Sequence, residues 1–163
     1  MLKKYLIVFL ISMVPLVELR GAIPVGVAYG MTNGIPLLLL YIISILGNML
    51  PVPFIYLFAR KVLVWGSTKK YTKKFFTWCL QKGEKAGKSL EEKAGKGLYW
   101  ALFIFVGIPL PGTGAWTGAL AASLLDMDFK KSVIAIMGGV ILAGIIMGLA
   151  SLGVFGAFST FLK

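Results

Sequence analysis

The sequence predicts an all-helical integral membrane protein in which a re-entrant helical hairpin followed by a transmembrane helix occurs twice, as an inverted repeat. Three observations lead to this fold class. Hydrophobic residues make up 58% of the 163-residue chain and charged residues only 14%, which is more apolar surface than a soluble domain of this size can bury. Most of the charge lies in one stretch, and two of the long apolar segments are broken at their centres by proline and glycine.

The first broken segment comprises residues 5–30. Its apolar sequence is interrupted by Pro15, by the run Glu-Leu-Arg-Gly at 18–21 and by Pro24. Each flank is long enough for about 16–20 Å of helix, which reaches the middle of a bilayer. This favours a helix–turn–helix that enters and leaves by one face, with a kinked full-length span as the alternative.

The first transmembrane helix is predicted at residues 35–59, an uncharged stretch long enough to cross the bilayer. Asn48, Pro51 and Pro53 lie in its second half and predict a kink. The amide of Asn48 has two interpretations: it lines a site, or it makes a plain hydrogen bond between helices.

A basic linker at residues 60–97 follows, with 11 basic and 3 acidic residues and a net charge of +8. The positive-inside trend places this linker in the cytoplasm. Lysines among aromatic residues at 61–81 predict an amphipathic helix on the bilayer surface. The same trend explains the formal charge of +11 without nucleic acid as a partner.

The second broken segment comprises residues 98–125 and is interrupted by Pro-Leu-Pro-Gly-Thr-Gly at 109–114. A second transmembrane helix is predicted at 132–160. Its Gly144-Ile-Ile-Met-Gly148 run permits close helix packing, either within the chain or at a dimer contact. We expect a homodimer, because two spanning and two half-depth segments are too few to surround a polar path through the membrane.

Glu18 and Arg20 are the candidate coupling residues. Glu18 is the only acidic residue outside the soluble stretches, and ionisable groups at membrane depth are costly and by default functional. Glu18 would carry a proton or cation, or it would form an ion pair with Arg20 that fixes the tip of the hairpin. Arg20 would act as a fixed counter-charge or as a clamp for an anionic headgroup.

The break at 109–114 frees backbone groups, and a helix starting near Ala115 would present its amino end to the break, where anions bind. Thr113 is expected to cap that helix. The candidate substrate-lining residues are those of the two breaks together with Asn48: Gly21, Pro24, Asn48, Pro109, Pro111, Gly112, Thr113, Gly114, Trp116 and Thr117.

The composition also excludes several classes of site. The chain has no histidine and one cysteine, which excludes a disulfide scaffold, imidazole or thiolate metal sites and histidine-assisted nucleophiles. No pair of acids lies at membrane depth for general acid–base catalysis. We therefore expect no enzyme activity, no metal and no cofactor.

The runs Glu-Leu-Arg-Gly-Ala-Ile-Pro at 18–24 and Pro-Leu-Pro-Gly-Thr-Gly-Ala-Trp-Thr-Gly at 109–118 together resemble the family of small multidrug export proteins, which is similar to the DedA membrane proteins. The resemblance implies a re-entrant hairpin and a spanning helix in each half, and proton coupling at Glu18. The second hairpin of DedA proteins carries two arginines around its Pro-Gly, and this chain keeps the Pro-Gly at 111–112 but has neither arginine.

The predicted function is a secondary transporter of the small multidrug export type, coupled to protons or cations through Glu18, with a small amphipathic or lipid-like substrate. The alternative is a DedA-like lipid translocase for a polyprenyl phosphate or a phospholipid, with Arg20 and the helix end at Ala115 holding the phosphate. Both place a multi-pass protein in the cell membrane, in contact with the lipid bilayer.

Overall fold

The computed structural model describes residues 2–15, 17–69, 97–110 and 113–161, together with 73–74, 77–78 and 81, and their side chains as far as residue 153. Most of the predicted linker lies outside the described residues. The helices are α1 (Leu2–Met13), α2 (Glu18–Ala28), α3 (Gly34–Met49), α4 (Pro51–Thr68), α5 (Gly97–Gly107), α6 (Ala115–Leu124) and α7 (Phe129–Phe161). The predicted all-helical class is confirmed.

Within the described residues, two helices are long and apolar enough to cross a membrane: Gly34–Thr68 with 35 residues and Phe129–Gly153 with 25. The first of them joins α3 and α4 through Leu50, whose φ of −58° and ψ of −42° are helical. Pro51 and Pro53 have no N–H, so the backbone hydrogen bonding is interrupted there. The helix continues to Thr68 instead of ending at residue 59, because the chain remains largely apolar beyond Arg60.

Each broken segment folds back so that its two ends lie together. The Lys4 ammonium donates a hydrogen bond to the carbonyl of Tyr29 at 3.0 Å and lies 5.7 Å from the centre of the Tyr29 ring. In the second segment, the Asp128 N–H donates to the Tyr99 hydroxyl at 3.3 Å, and the Lys131 ammonium lies 5.7 Å from the Tyr99 ring. The turns of both segments are therefore at the far end from these contacts.

The break in the first segment is shorter than the sequence predicts. Only residues 14–17 separate α1 from α2, and Glu18, Arg20, Gly21 and Pro24 all belong to α2. Pro24 lies inside the helix, where it removes one backbone donor without ending the helix. The expectation that Pro24 interrupts the segment is thus wrong, because the neighbouring turns supply enough hydrogen bonds and packing to continue the helix.

The second helix of each broken segment packs against the long helix of the other half. Helix α2 contacts α7 and helix α6 contacts α4, while α1 packs on α3 and α5 packs on α7. A hydrogen bond from the Ser123 hydroxyl to the carbonyl of Tyr56, at 2.8 Å, joins α6 to α4. This exchange brings the turns of the two broken segments together.

Gly144 and Gly148 pack against a side chain of the same chain. A Cβ at Gly144 would lie 3.6 Å from Leu19 and from the Tyr41 ring, and a Cβ at Gly148 would collide with the Tyr41 hydroxyl. Of the two interpretations of this glycine pattern, the structure favours packing within the chain, because Tyr41 of α3 occupies the space that the glycines leave.

Candidate functional site

Glu18 reaches from the first broken segment to the amino end of α6 in the second. Its side chain is only 3% exposed. One carboxylate oxygen accepts the N–H of Ala115 at 3.1 Å and the other accepts the N–H of Trp116, also at 3.1 Å. These are amides that a helix start leaves without intrahelical partners. Glu18 therefore caps a helix that begins 97 positions later.

Gly114 makes room for this carboxylate. Its φ of +148° is a backbone conformation that residues with a side chain rarely adopt, and a Cβ built there would collide with the carboxylate of Glu18. Glu18 itself has a φ of +51°, which is uncommon for a residue with a side chain and costs about 1–3 kcal/mol. The position of the carboxylate is thus obtained at the expense of backbone strain at the start of α2.

Thr113 does not cap α6, contrary to the expectation from sequence. Its hydroxyl oxygen lies 2.8 Å from the carbonyl of Ile108 and 2.9 Å from that of Leu110. The residue that precedes α6 is Gly114, which has no side chain. The cap is supplied by Glu18, because the Thr113 hydroxyl is already engaged by the turn on the α5 side.

Arg20 binds the opposite end of the same break. Its guanidinium donates to the carbonyl of Val106 at 3.3 Å, to that of Ile108 at 3.2 Å and to the Thr113 hydroxyl at 2.8 Å. It also donates a short hydrogen bond to the carbonyl of Leu110. These acceptors lie in the last turn of α5 and just beyond it, where carbonyls lack intrahelical partners. Arg20 thus caps the carboxyl end of α5.

The two charges match the partial charges at the helix ends they contact. A carboxylate lies at the amino end of α6, which carries a partial positive charge, and a guanidinium lies at the carboxyl end of α5, which carries a partial negative charge. The sequence left open whether Glu18 and Arg20 converge on each other. In the structure, the side chains of Glu18 and Arg20 both form their hydrogen bonds with the second broken segment.

The predicted lining residues fall into separate groups. Glu18 and Arg20, with the two helix ends that they contact, form a double cap. Four predicted lining residues lie at or beside it: Thr113, Gly114, Trp116 and the half-buried Pro109. The Thr117 hydroxyl donates to the carbonyl of Gly114 at 3.3 Å. Gly21 and Pro24 lie further along α2, and a Cβ built at Gly21 would meet the side chains of Val17 and Ile11. Pro111 and Gly112 lie outside the described residues.

Asn48 is 2% exposed, and its side-chain oxygen has no hydrogen-bond partner among the described residues. The same is true of the Ser44 hydroxyl, which lies one turn earlier on α3 and is fully buried. Buried polar atoms of this kind usually bind a partner or an ordered water. Sequence reasoning missed Ser44, although its spacing of four residues from Asn48 places the two on one helix face.

A further set of contacts, which sequence reasoning also missed, lies near the carboxyl end of α4. Arg60 pairs with Asp126, and the Tyr56 hydroxyl donates to the carbonyl of Met127. The ring of Tyr56 meets that of Phe129 edge to face, with centroids 5.1 Å apart. The α4 helix is thereby tied to the turn between α6 and α7.

The fold and the double cap define a helical protein that has, within the described residues, two helices long and apolar enough to cross a membrane. A buried glutamate and a half-buried arginine lie at the contact of its two broken segments. Residues 18–146 match the family described as "Putative small multi-drug export protein", and the chain belongs to that family. The match begins at Glu18 and covers both halves of the double cap. Searches of curated proteins and of solved structures gave no match.

Proposed function

We propose that this protein is a secondary transporter that exports small amphipathic compounds and is coupled to protons through Glu18. The observation that carries the proposal is the buried Glu18 carboxylate bound to the Ala115 and Trp116 amides. Family membership supports export as the class of function. A neutral Ser, Thr or Asn can cap a helix as well as a carboxylate, so a group that ionises in this position favours a role for its proton.

Protonation gives Glu18 a way to change the contact between the two halves. With the charge present, each carboxylate oxygen accepts a charge-assisted hydrogen bond and meets the partial positive charge of α6. When a proton is added, one oxygen becomes a hydroxyl and the cap weakens. We propose that this releases the start of α6 from α2, and that the strained backbone of Glu18 favours the release.

The proposed topology is an inverted repeat of two re-entrant hairpins in a multi-pass protein of the cell membrane, with the basic linker in the cytoplasm. The folded-back segments and the exchanged packing of α2 on α7 and α6 on α4 support it. Helices α1 and α5 have 12 and 11 residues, so each reaches about half the bilayer. The similarity to DedA proteins is part of this proposal, as is the homodimer.

Cysteine labelling tests the topology. In a Cys79→Ser background, we expect Lys73→Cys in the linker and Lys130→Cys at the start of α7 to react with an impermeant maleimide from the cytoplasmic side. Lys4→Cys is expected to react from the opposite side. All three lysines lie at exposed positions. Labelling of Lys73→Cys and Lys130→Cys from different sides would replace the second hairpin by a kinked span.

The alternative function, a translocase for polyprenyl phosphate or phospholipid, needs free donors for a phosphate. The guanidinium of Arg20 is occupied by carbonyls and by Thr113, and the amides at the start of α6 are occupied by Glu18. Both groups that the sequence assigned to a phosphate therefore have partners inside the protein. This favours the exporter.

Replacement of Arg20 by lysine separates the two functions. Lysine keeps the charge but not the planar fork, so we expect it to lose one or two of the bonds to the α5 end and about 1.5–3 kcal/mol of stability. Dye export driven by a pH gradient in proteoliposomes is expected to remain within about tenfold of wild type, since Glu18 keeps its cap. Gradient-independent transport of a labelled polyprenyl phosphate by the wild type, lost in Arg20→Lys, would favour the translocase.

A further inference from the structure

Two apolar grooves lie side by side along α4. The first, of about 500 Å³, is bordered by the turn after α1 and by the start of α4, with Met13, Pro51 and Phe54 in its wall. The second, of about 390 Å³, is bordered by α4 and α6, with Ala59 and Leu120 in its wall. Both volumes lie in the range of about 300–1,000 Å³ typical of sites for small molecules.

The two grooves share a wall. Ile55 and Trp116 line both of them, so the grooves form one apolar path along α4 that these two side chains divide. Among the described residues, no charged side chain lines either groove. A charged ligand would lose its hydration there without gaining a partner, which is costly.

Trp116 connects this path to the double cap. Its backbone N–H is one of the two amides that the Glu18 carboxylate holds. Its indole N–H is buried and has no acceptor among the described residues. A buried donor without a partner is destabilising, so packing and the cap keep the indole where it is.

The two grooves are open on the side of α4 that lies on the surface of the protein. Phe54 is 59% exposed and Phe58 58% exposed, and both side chains border the grooves. In a membrane-spanning helix, exposed phenylalanines of this kind contact lipid. A ligand that dissolves in the bilayer can therefore enter from the side, without passing through water.

We infer that the two grooves form one binding site for uncharged, aromatic, lipophilic molecules, with Trp116 as the wall between its halves and Glu18 setting the position of that wall. This inference rests on the proposed function, for which it supplies the substrate class and the route of entry. Aromatic ligands are favoured because the indole offers a ring to pack against, with a preferred edge-to-face or offset geometry.

The test uses Trp116 as the only tryptophan, in a Trp65→Phe, Trp78→Phe, Trp100→Phe protein in nanodiscs. The probe is N-phenyl-1-naphthylamine, a neutral dye that accepts excitation energy from tryptophan. We expect energy transfer from Trp116 to saturate with dye. 1-Anilinonaphthalene-8-sulfonate, which is nearly the same molecule with an added charge, is expected to bind at least about tenfold more weakly, because the described lining residues include no cation to offset its desolvation.

Three controls separate this site from the lipid phase. A protein that keeps only Trp100, which is 65% exposed on α5, reports dye dissolved in the bilayer. Ala59→Phe fills the second groove and is expected to weaken saturable binding by about tenfold, whereas Ala101→Phe on the exposed face of α5 is expected to leave it unchanged. If Ala59→Phe does not fold, Leu120→Tyr fills the same groove from α6.

Transfer that rises linearly with dye and is equal for the Trp116 and Trp100 proteins would overturn the inference and assign the grooves to lipid acyl chains. Glu18→Gln is expected to change the affinity for the neutral dye by about threefold or more, since one of the two amide bonds is lost; no change would overturn the role of Glu18 in positioning Trp116. Saturable dye binding, together with transport that does not depend on Glu18, would support the binding site and contradict the proposed proton coupling.

Discussion

Replacement of Glu18 by glutamine is expected to abolish transport driven by a pH gradient while leaving the protein inserted and folded. Glutamine has nearly the same shape but carries no proton to exchange, and it retains one carbonyl oxygen for one of the two amides of α6. The loss of the other bond is expected to lower the free energy of unfolding by about 1.5–3 kcal/mol. Arg20 keeps its carbonyl partners in this variant, so its half-buried guanidinium is not left without acceptors.

The measurement is dye efflux from proteoliposomes with an imposed pH gradient, together with size-exclusion chromatography in detergent. Asp128→Asn is the matched control, because Asp128 is an exposed acid whose carboxylate accepts the N–H of Lys131 at 2.9 Å and has no contact with the double cap. Wild-type rates in Glu18→Gln would show that coupling lies elsewhere. Aggregation of Glu18→Gln, with Asp128→Asn intact, would make Glu18 a purely structural cap.

Gly114→Ala is expected to be nearly as damaging as the loss of Glu18, although it removes no functional group. The new methyl would collide with the Glu18 carboxylate, and a φ of +148° is unfavourable for alanine. Strain and overpacking together are expected to cost about 2–5 kcal/mol. Because the carboxylate must move away from the Ala115 and Trp116 amides, we expect gradient-driven export to fall by at least about tenfold even in the folded fraction.

The midpoint of unfolding in detergent and the transport rate per folded protein measure this effect. Gly144→Ala is the matched control, since its methyl would lie in ordinary contact, 3.6 Å from Leu19 and Tyr41, and it should change both quantities little. A Gly114→Ala protein with wild-type stability and transport would contradict the close fit between Gly114 and Glu18 on which the proposed site depends.

The sequence predicted most of the described helices and the break at 109–114 because these depend on local signals. Proline and glycine at 109–114 interrupt an apolar run, and they do so whatever packs around them. The start of α6 at Ala115 was also predicted correctly, and the group that its amides bind is the Glu18 carboxylate. Helix boundaries were less accurate: the first long helix was predicted to end at residue 59, but it continues to Thr68, and Arg60 pairs with Asp126.

The identity of the anion at α6 could not be predicted, because it depends on packing between segments that are distant in the sequence. Glu18 and Ala115 are 97 positions apart, and Arg20 and Leu110 are 90 positions apart. Nothing in the spacing of either run states that the two breaks meet. Local rules gave Thr113 as the cap, but its hydroxyl is engaged within its own turn by Ile108 and Leu110. The tertiary contact from Glu18 supplies the cap instead.

The long separation between Glu18 and its partners also has a consequence for biosynthesis. At about 5–20 residues per second, the ribosome needs roughly 5–20 s after making Glu18 to complete the first turn of α6. During that interval the nascent chain carries an acid and a base in an apolar segment with none of their final partners. We therefore expect insertion of the first segment to be delayed at the translocon or assisted by a chaperone until the second segment emerges.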